Sequence, residues 1–324
     1  MRPMTKTPSG FRAALWIGWL VLGVAGVLYA QWKGIPYRAA LPMLAAFLVV
    51  YPFYLLIGFP GVRDRLIGKS LLGYLLAAAL LPYLACCAGA VQFAWGSVFR
   101  LIALAVAFGL WYVVLPVNIA IDLAFLVMIA AVLLGGYFDP VYRSAVPGFK
   151  DLVFLGHVTL IVLAVTVLLL ERRVYAPDYS FLPNAREWRI GLTHFAYFVI
   201  FGLPVGLLVG ALVPGKPAPI WKIAGMFLGF LWTVALSEEF FFWGVLRQWI
   251  EEWTWNRYAA WLLTAVGFGL VHIGFGGKFP NWRWVLLASI LGFFCGRARN
   301  QADSIRAGMV THALVFATWR GFFS

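Results

Sequence analysis

Charge is what this sequence has least of. Only 11% of its 324 residues are Asp, Glu, Lys or Arg, and 63% are hydrophobic. A soluble globular domain carries roughly 25% charged residues, so a soluble fold is excluded. Acid is scarcer still, with 12 Asp and Glu against 25 Lys and Arg and a formal net charge of +13. In a water-soluble chain that surplus would suggest nucleic acid. In a chain this apolar, basic residues flank membrane spans and set their orientation, and no nucleic-acid partner is expected. The three cysteines, Cys86, Cys87 and Cys295, all lie in apolar runs. They give neither a disulfide framework nor a metal-ligand spacing, and they read as small packing residues.

Apolar runs, by contrast, recur along the whole length. A spanning helix needs about 20 such residues, and in hydrocarbon every backbone group must be bonded within its own segment. The expected fold is all-α, a polytopic transmembrane bundle of about eleven spans (range nine to eleven). They are placed near 13–31, 39–59, 71–92, 98–115, 118–136, 152–170, 191–213, 221–246, 259–275, 284–298 and 306–322. The first run follows MRPMTKTPSGFR and has no convincing small-residue cleavage site, so it is expected to be retained as a span. With the N-terminus in the cytoplasm, more than half of the 25 basic residues fall on the cytoplasmic side, the bias the positive-inside rule asks for. The expected location is a multi-pass protein of a prokaryotic plasma (inner) membrane. The longest polar stretch, Glu171 to Arg189, separates an expected N-terminal bundle of about six spans, 1–175, from a C-terminal domain of about five, 190–324. The role of the first is not legible.

Ionisable residues inside spans cost about 2.5–3.5 kcal/mol each on insertion scales and mark functional sites by default. Two stand side by side in SEEFFFWGVLRQW: Glu238 and Glu239. They are the sole acidic residues between Glu187 and Glu251. Adjacent helical residues point about 100° apart. One glutamate can therefore face a cavity while the other braces a neighbouring helix. Two histidines follow on separate spans, His272 in GFGLVHIGF and His312 in RAGMVTHALVFATW. Glu, Glu, His and His converging in one bundle would suit water activation: a carboxylate takes the proton, and an imidazole positions the water or stabilises the oxyanion. The same residue types suit zinc, with Glu238, His272 and His312 as ligands, although no H-E-x-x-H occurs.

This order of motifs resembles the CPBP family of intramembrane glutamic endopeptidases, which includes the type II CAAX prenyl proteases and the Abi proteins. The family pattern is EExxxR, then FxxxH, then HxxxN on successive spans. Glu238-Glu239, Phe268 with His272, and His312 match it over roughly residues 191–322. Two positions depart: the Arg of the first motif falls on Trp243, and the Asn of the third falls on Phe316. The resemblance implies a metal-free peptidase with no cofactor. By it, Glu238 activates water with help from His272, Glu239 supports the site, and His312 donates to the oxyanion. The implied substrate is a membrane-associated protein or peptide, prenylated in part of the family, with membrane lipid around it. Loss of one oxyanion donor costs on the order of 100- to 1000-fold in rate, and Thr311 or Thr318 is the expected replacement. The departures also leave room for a protease-like binding or immunity protein with impaired catalysis. A transporter is the remaining alternative.

Helix rise sets a further expectation. At 1.5 Å per residue, Glu238 and His312 lie at similar depth from the nearest basic ends, whereas His272 lies deeper. Arg247 is expected to pair with Glu251 at i+4 rather than reach the site. Asn118 and Asp122 read as a polar contact between helices, His157 and His194 as core or interfacial residues, and Asp303-Ser304 as a helix N-cap.

Overall fold

The structure is a computed structural model that describes residues 9–146, 152–174, 179–277 and 279–323. The basic lead with Arg2 and Lys6, and positions 175–178 within the expected bundle boundary, lie outside the described residues. Among the described residues eleven helices account for the architecture, and each coincides with one expected span. They are α1 (Ser9–Lys33), α2 (Tyr37–Ile57), α3 (Lys69–Cys86), α4 (Trp95–Val114), α5 (Ile119–Leu134), α6 (Val153–Leu170), α7 (Ala185–Leu208), α8 (Ile220–Thr254), α9 (Arg257–Leu270), α10 (Trp282–Ala302) and α11 (Ile305–Phe322). Seven of them, α1 to α4 and α6 to α8, are long and apolar enough to cross a membrane. α5 and α9 have 16 and 14 residues, or about 24 and 21 Å, short of a hydrocarbon core of about 30 Å. α10 and α11 have the length, but α10 carries Arg283, Arg297 and Arg299 and α11 carries Arg306 and Arg320. The chain is an integral membrane protein built as a polytopic helical bundle.

The chain divides into two compact units, Met1–Arg173 and Val174–Ser324. In the first, α6 is the central element: 67% of its apolar window is buried, and α2 to α5 pack around it. Asp122 is its chief polar anchor. The carboxylate accepts from Arg172 Nε and Nη2 at 2.9 and 2.8 Å and from Tyr112 Oη at 2.9 Å, a bidentate, charge-assisted arrangement. Asn118 caps α5 by accepting from the Ile121 amide. The pair is structural, as its spacing suggested.

In the second unit α10 packs against α7, α9 and α11, and α11 also packs against α7 and α8. Local sequence sets the ends of these helices. Asn184 and Glu187 form a capping box at the start of α7, satisfying two otherwise unpaired amides. Ser304 caps α11 by accepting from the Arg306 amide. The two caps are joined: Arg306 Nη2 lies 2.7 Å from Glu187 Oε1, and Arg306 Nη1 donates to Ser180 Oγ. Arg247 pairs with Glu251 at 2.9 Å, at the helix end where the i+4 spacing placed it. The far end of α11 is pinned by Gly215 and Ala218 amides donating to Phe322 and Gly321 carbonyls.

Glu187 is buried at 3% exposure, and removing one partner of a buried ion pair strands the other charge. Glu187→Ala should lower unfolding stability in detergent by about 3–5 kcal/mol, whereas Glu252→Ala, on a partly exposed surface, should change it by less than about 1 kcal/mol. Chemical denaturation monitored by circular dichroism checks both.

Candidate active site

α8 is a single helical run with two π-helical stretches, Leu231–Ala235 and Phe240–Leu246, on either side of Leu236–Glu239. The Leu236 amide donates to Leu231 O and the Arg247 amide to Phe242 O, each five residues back. Such widened turns recur at functional sites because each inserts a residue and re-aims the helix faces around it. Between them the two glutamates diverge. Glu238 lines a cavity of about 180 Å³ and keeps 31% of its side chain accessible. Glu239 is wholly buried and turns toward α10 and α11.

His312 stands between the two carboxylates. Its Nδ1 lies 3.1 Å from Glu239 Oε1, and its Nε2 lies 3.8 Å from Glu238 Oε2. Close helix approach makes this possible: a Cβ at Gly308, one turn before His312, would collide with Glu239 Oε2. His272 lies in the turn just after α9 and lines the same cavity as Glu238 and His312. Its Nδ1 is 2.8 Å from Phe268 O. A carbonyl only accepts, so the imidazole hydrogen sits on Nδ1 and leaves Nε2 as a free acceptor. Phe268 is fully buried between the two imidazoles, with ring centroids 5.1 Å from His272 and 5.3 Å from His312. The greater depth of His272 counted from Arg257 does not keep it away from the cavity.

The remaining motif positions separate. Phe316 lines the cavity and stacks on Phe230 at a 3.7 Å centroid distance. Trp243 does not line it: the residue is fully buried, and its ring fills the space beside Gly296 of α10. Of the two expected substitute donors, Thr311 is committed to the Gly191 and Ala307 carbonyls, and Thr318 lines the cavity. His194 is buried with Nδ1 on Ile190 O, and His157 packs on Phe138. His194 does not line the cavity, and His157 belongs to the first unit.

Sequence reasoning missed Cys295. The thiol is buried, and its Sγ lies within 4.8 Å of ligand atoms of both Glu239 and His312. No spacing rule reveals this, since the three residues sit on three different helices. The zinc trio expected from sequence, Glu238, His272 and His312, shares the cavity wall, but among the described residues the tight cluster of such side chains is Glu239, Cys295 and His312.

Fold and site together define a membrane-embedded helical bundle with a carboxylate-histidine cluster at an apolar cavity. Residues 220–318 match the family model described as Rce1-like, the type II CAAX prenyl endopeptidases. The match covers this segment of the chain and bears out the resemblance carried by the motif order. Searches among curated proteins and among solved structures found no match.

If Trp243 is packing and Phe316 is cavity wall, their substitutions should part company. Trp243→Ala should cost about 3–5 kcal/mol of stability. Phe316→Asn, whose new amide can be solvated from the cavity, should cost clearly less in the same denaturation assay.

Proposed function

We propose that the C-terminal unit is a metal-independent intramembrane endopeptidase in which Glu238 activates a water molecule. The observation that carries this reading is the convergence of Glu238, His272 and His312 on one cavity, with Glu239 buried behind His312. Glu238 is the general base. His272, with Nε2 free to accept, orients the same water. Glu239 fixes the His312 ring through Nδ1. If the proton between them rests on the Glu239 carboxyl, Nδ1 accepts it and Nε2 keeps its hydrogen. His312 can then donate to the oxyanion as the carbonyl carbon becomes tetrahedral. After attack, the proton held by Glu238 passes to the leaving amide nitrogen, which balances the hydrolysis.

Apart from Thr318, the rest of the cavity wall is aromatic and aliphatic, with Phe195, Phe198, Phe275, Trp284 and Leu291 among its residues. It suits an apolar segment of a membrane-associated protein or peptide, lipid-modified or not, reaching the site from the membrane or the cytoplasmic face. We propose a prokaryotic plasma (inner) membrane as its location and, on the distribution of Lys and Arg, a cytoplasmic N-terminus. A second reading has one observation in its favour. Phe316, stacked on Phe230, fills the place of the amide that the family motif supplies, which suits a protease-like binding or immunity protein. A transporter has no comparable support, because Asn118 and Asp122 serve helix capping and ion pairing.

Membranes bearing the native chain and membranes bearing Glu238→Gln separate the two readings when new protein termini are profiled in both. The protease reading predicts termini that appear only with the native chain, and a rise in their yield of about 10-fold or more for Phe316→Asn, a fraction of what one oxyanion donor contributes. Identical profiles from folded, equally abundant proteins would favour the binding protein.

A further inference from the structure

α8 and α10 meet where Trp243 fills the space beside Gly296. One turn further along each helix stand two arginines, Arg247 of α8 and Arg299 of α10. Both are drawn into the protein, with 10% and 18% of their side chains accessible. Their acidic partners are the outer members, Glu251 at 40% and Asp303 at 83%. Arg247 Nη2 lies 2.9 Å from Glu251 Oε2. Arg299 Nη1 lies 4.0 Å from Asp303 Oδ1 and 3.5 Å from Asn300 Oδ1. The Nε of each guanidinium is buried with no hydrogen-bond partner. A buried N–H without an acceptor is costly, and more so when it belongs to a cation.

Charge is unbalanced at the same place. Arg247 is repelled by Arg299 and Arg257 and attracted by Glu251 and Asp303, so three guanidiniums share two carboxylates. Arg257, exposed at the start of α9, donates to Tyr258 Oη and lies over its ring. Neither contact cancels charge, and a guanidinium does not give up its proton. From this arrangement we infer that Arg247 and Arg299 form a binding site for a phosphate group, carried by an anionic phospholipid headgroup or free in solution. Both contacts of Arg299 run through Nη1, so its Nε–Nη2 edge is the one available to a bidentate oxyanion. A phosphodiester carries one negative charge, which closes the count of three against two. Depth agrees. Arg247 stands seven residues, about 10 Å, before the end of α8 at Thr254, and basic pockets between helices at a membrane surface hold lipid headgroups. Bound there, the phosphate bridges α8 and α10 one turn beyond Trp243. The inference concerns anion affinity alone and does not depend on proteolysis.

Thermal unfolding of the purified full-length chain in neutral detergent reads the site. Three additions are compared: phosphatidylglycerol, phosphatidylcholine, and inorganic phosphate against sodium chloride of equal ionic strength. Phosphatidylglycerol should raise Tm with saturation, and phosphatidylcholine, whose choline cation opposes the arginines, should not. In Arg299→Gln the apparent affinity should fall about 10-fold or more, the loss of one charge-assisted contact. Arg299→Lys, which keeps the charge but not the fork, should fall between the two. Arg320→Gln, at the other end of α11, should behave as the native chain. A response to phosphatidylglycerol alone assigns the site to the headgroup, and a response that includes inorganic phosphate assigns it to the phosphate group itself. No response to either in the folded native chain, an equal response to phosphatidylcholine, or undiminished affinity in Arg299→Gln would each overturn the inference.

Discussion

The contact between Glu239 and His312 is the interaction on which the second unit's chemistry depends. A carboxyl removed from water needs a hydrogen-bonding partner, and at 3.1 Å the imidazole supplies it. The same contact settles where the other ring nitrogen points. Nε2 faces Glu238, the carboxylate that the cavity can reach. One glutamate thus holds the histidine while the other lines the cavity. Chemically similar neighbours take different roles because one helical step turns them into different surroundings.

The surrounding fold supplies the closeness that this contact requires. Gly308 lets α11 approach α8 without a side chain against Glu239. The π-helical stretches on both sides of the doublet adjust the faces of α8 locally, without a proline. The Arg306–Glu187 pair and the Asn184 and Ser304 caps fix the first turns of α7 and α11. His312 sits less than two turns beyond Arg306, so an ion pair near one helix end helps set the position of an imidazole within the helix. Trp243 acts from the other side as a filler between α8 and Gly296 of α10.

Much of this was legible in the sequence. Hydropathy alone marked a helix at each of the eleven positions, because a backbone in hydrocarbon has few alternatives. Rare charges marked the doublet, His272 and His312, since buried ionisable groups are costly unless they have a purpose. What stayed hidden depends on distance between helices. Cys295 looked like any small residue of an apolar run until α10 was set beside α8. Thr311 looked available as a donor, yet its hydroxyl is taken by carbonyls of α7 and of its own helix. Trp243 and Phe316 looked alike as aromatic replacements of polar residues, but one is packing and the other is cavity wall. Depth counted along α9 put His272 deeper than Glu238 and His312, because a count of residues carries no information about how neighbouring helices are placed.

The central claim is that a water molecule activated by Glu238 cleaves a peptide bond without a metal ion. The most direct measurement reconstitutes the native chain in vesicles with a membrane-anchored reporter peptide, heavy-oxygen water and a strong chelator. The account predicts cleavage at an undiminished rate, one heavy oxygen in the new carboxyl terminus, and neither with Glu238→Gln. Cleavage abolished by the chelator, or unchanged in Glu238→Gln, would contradict it.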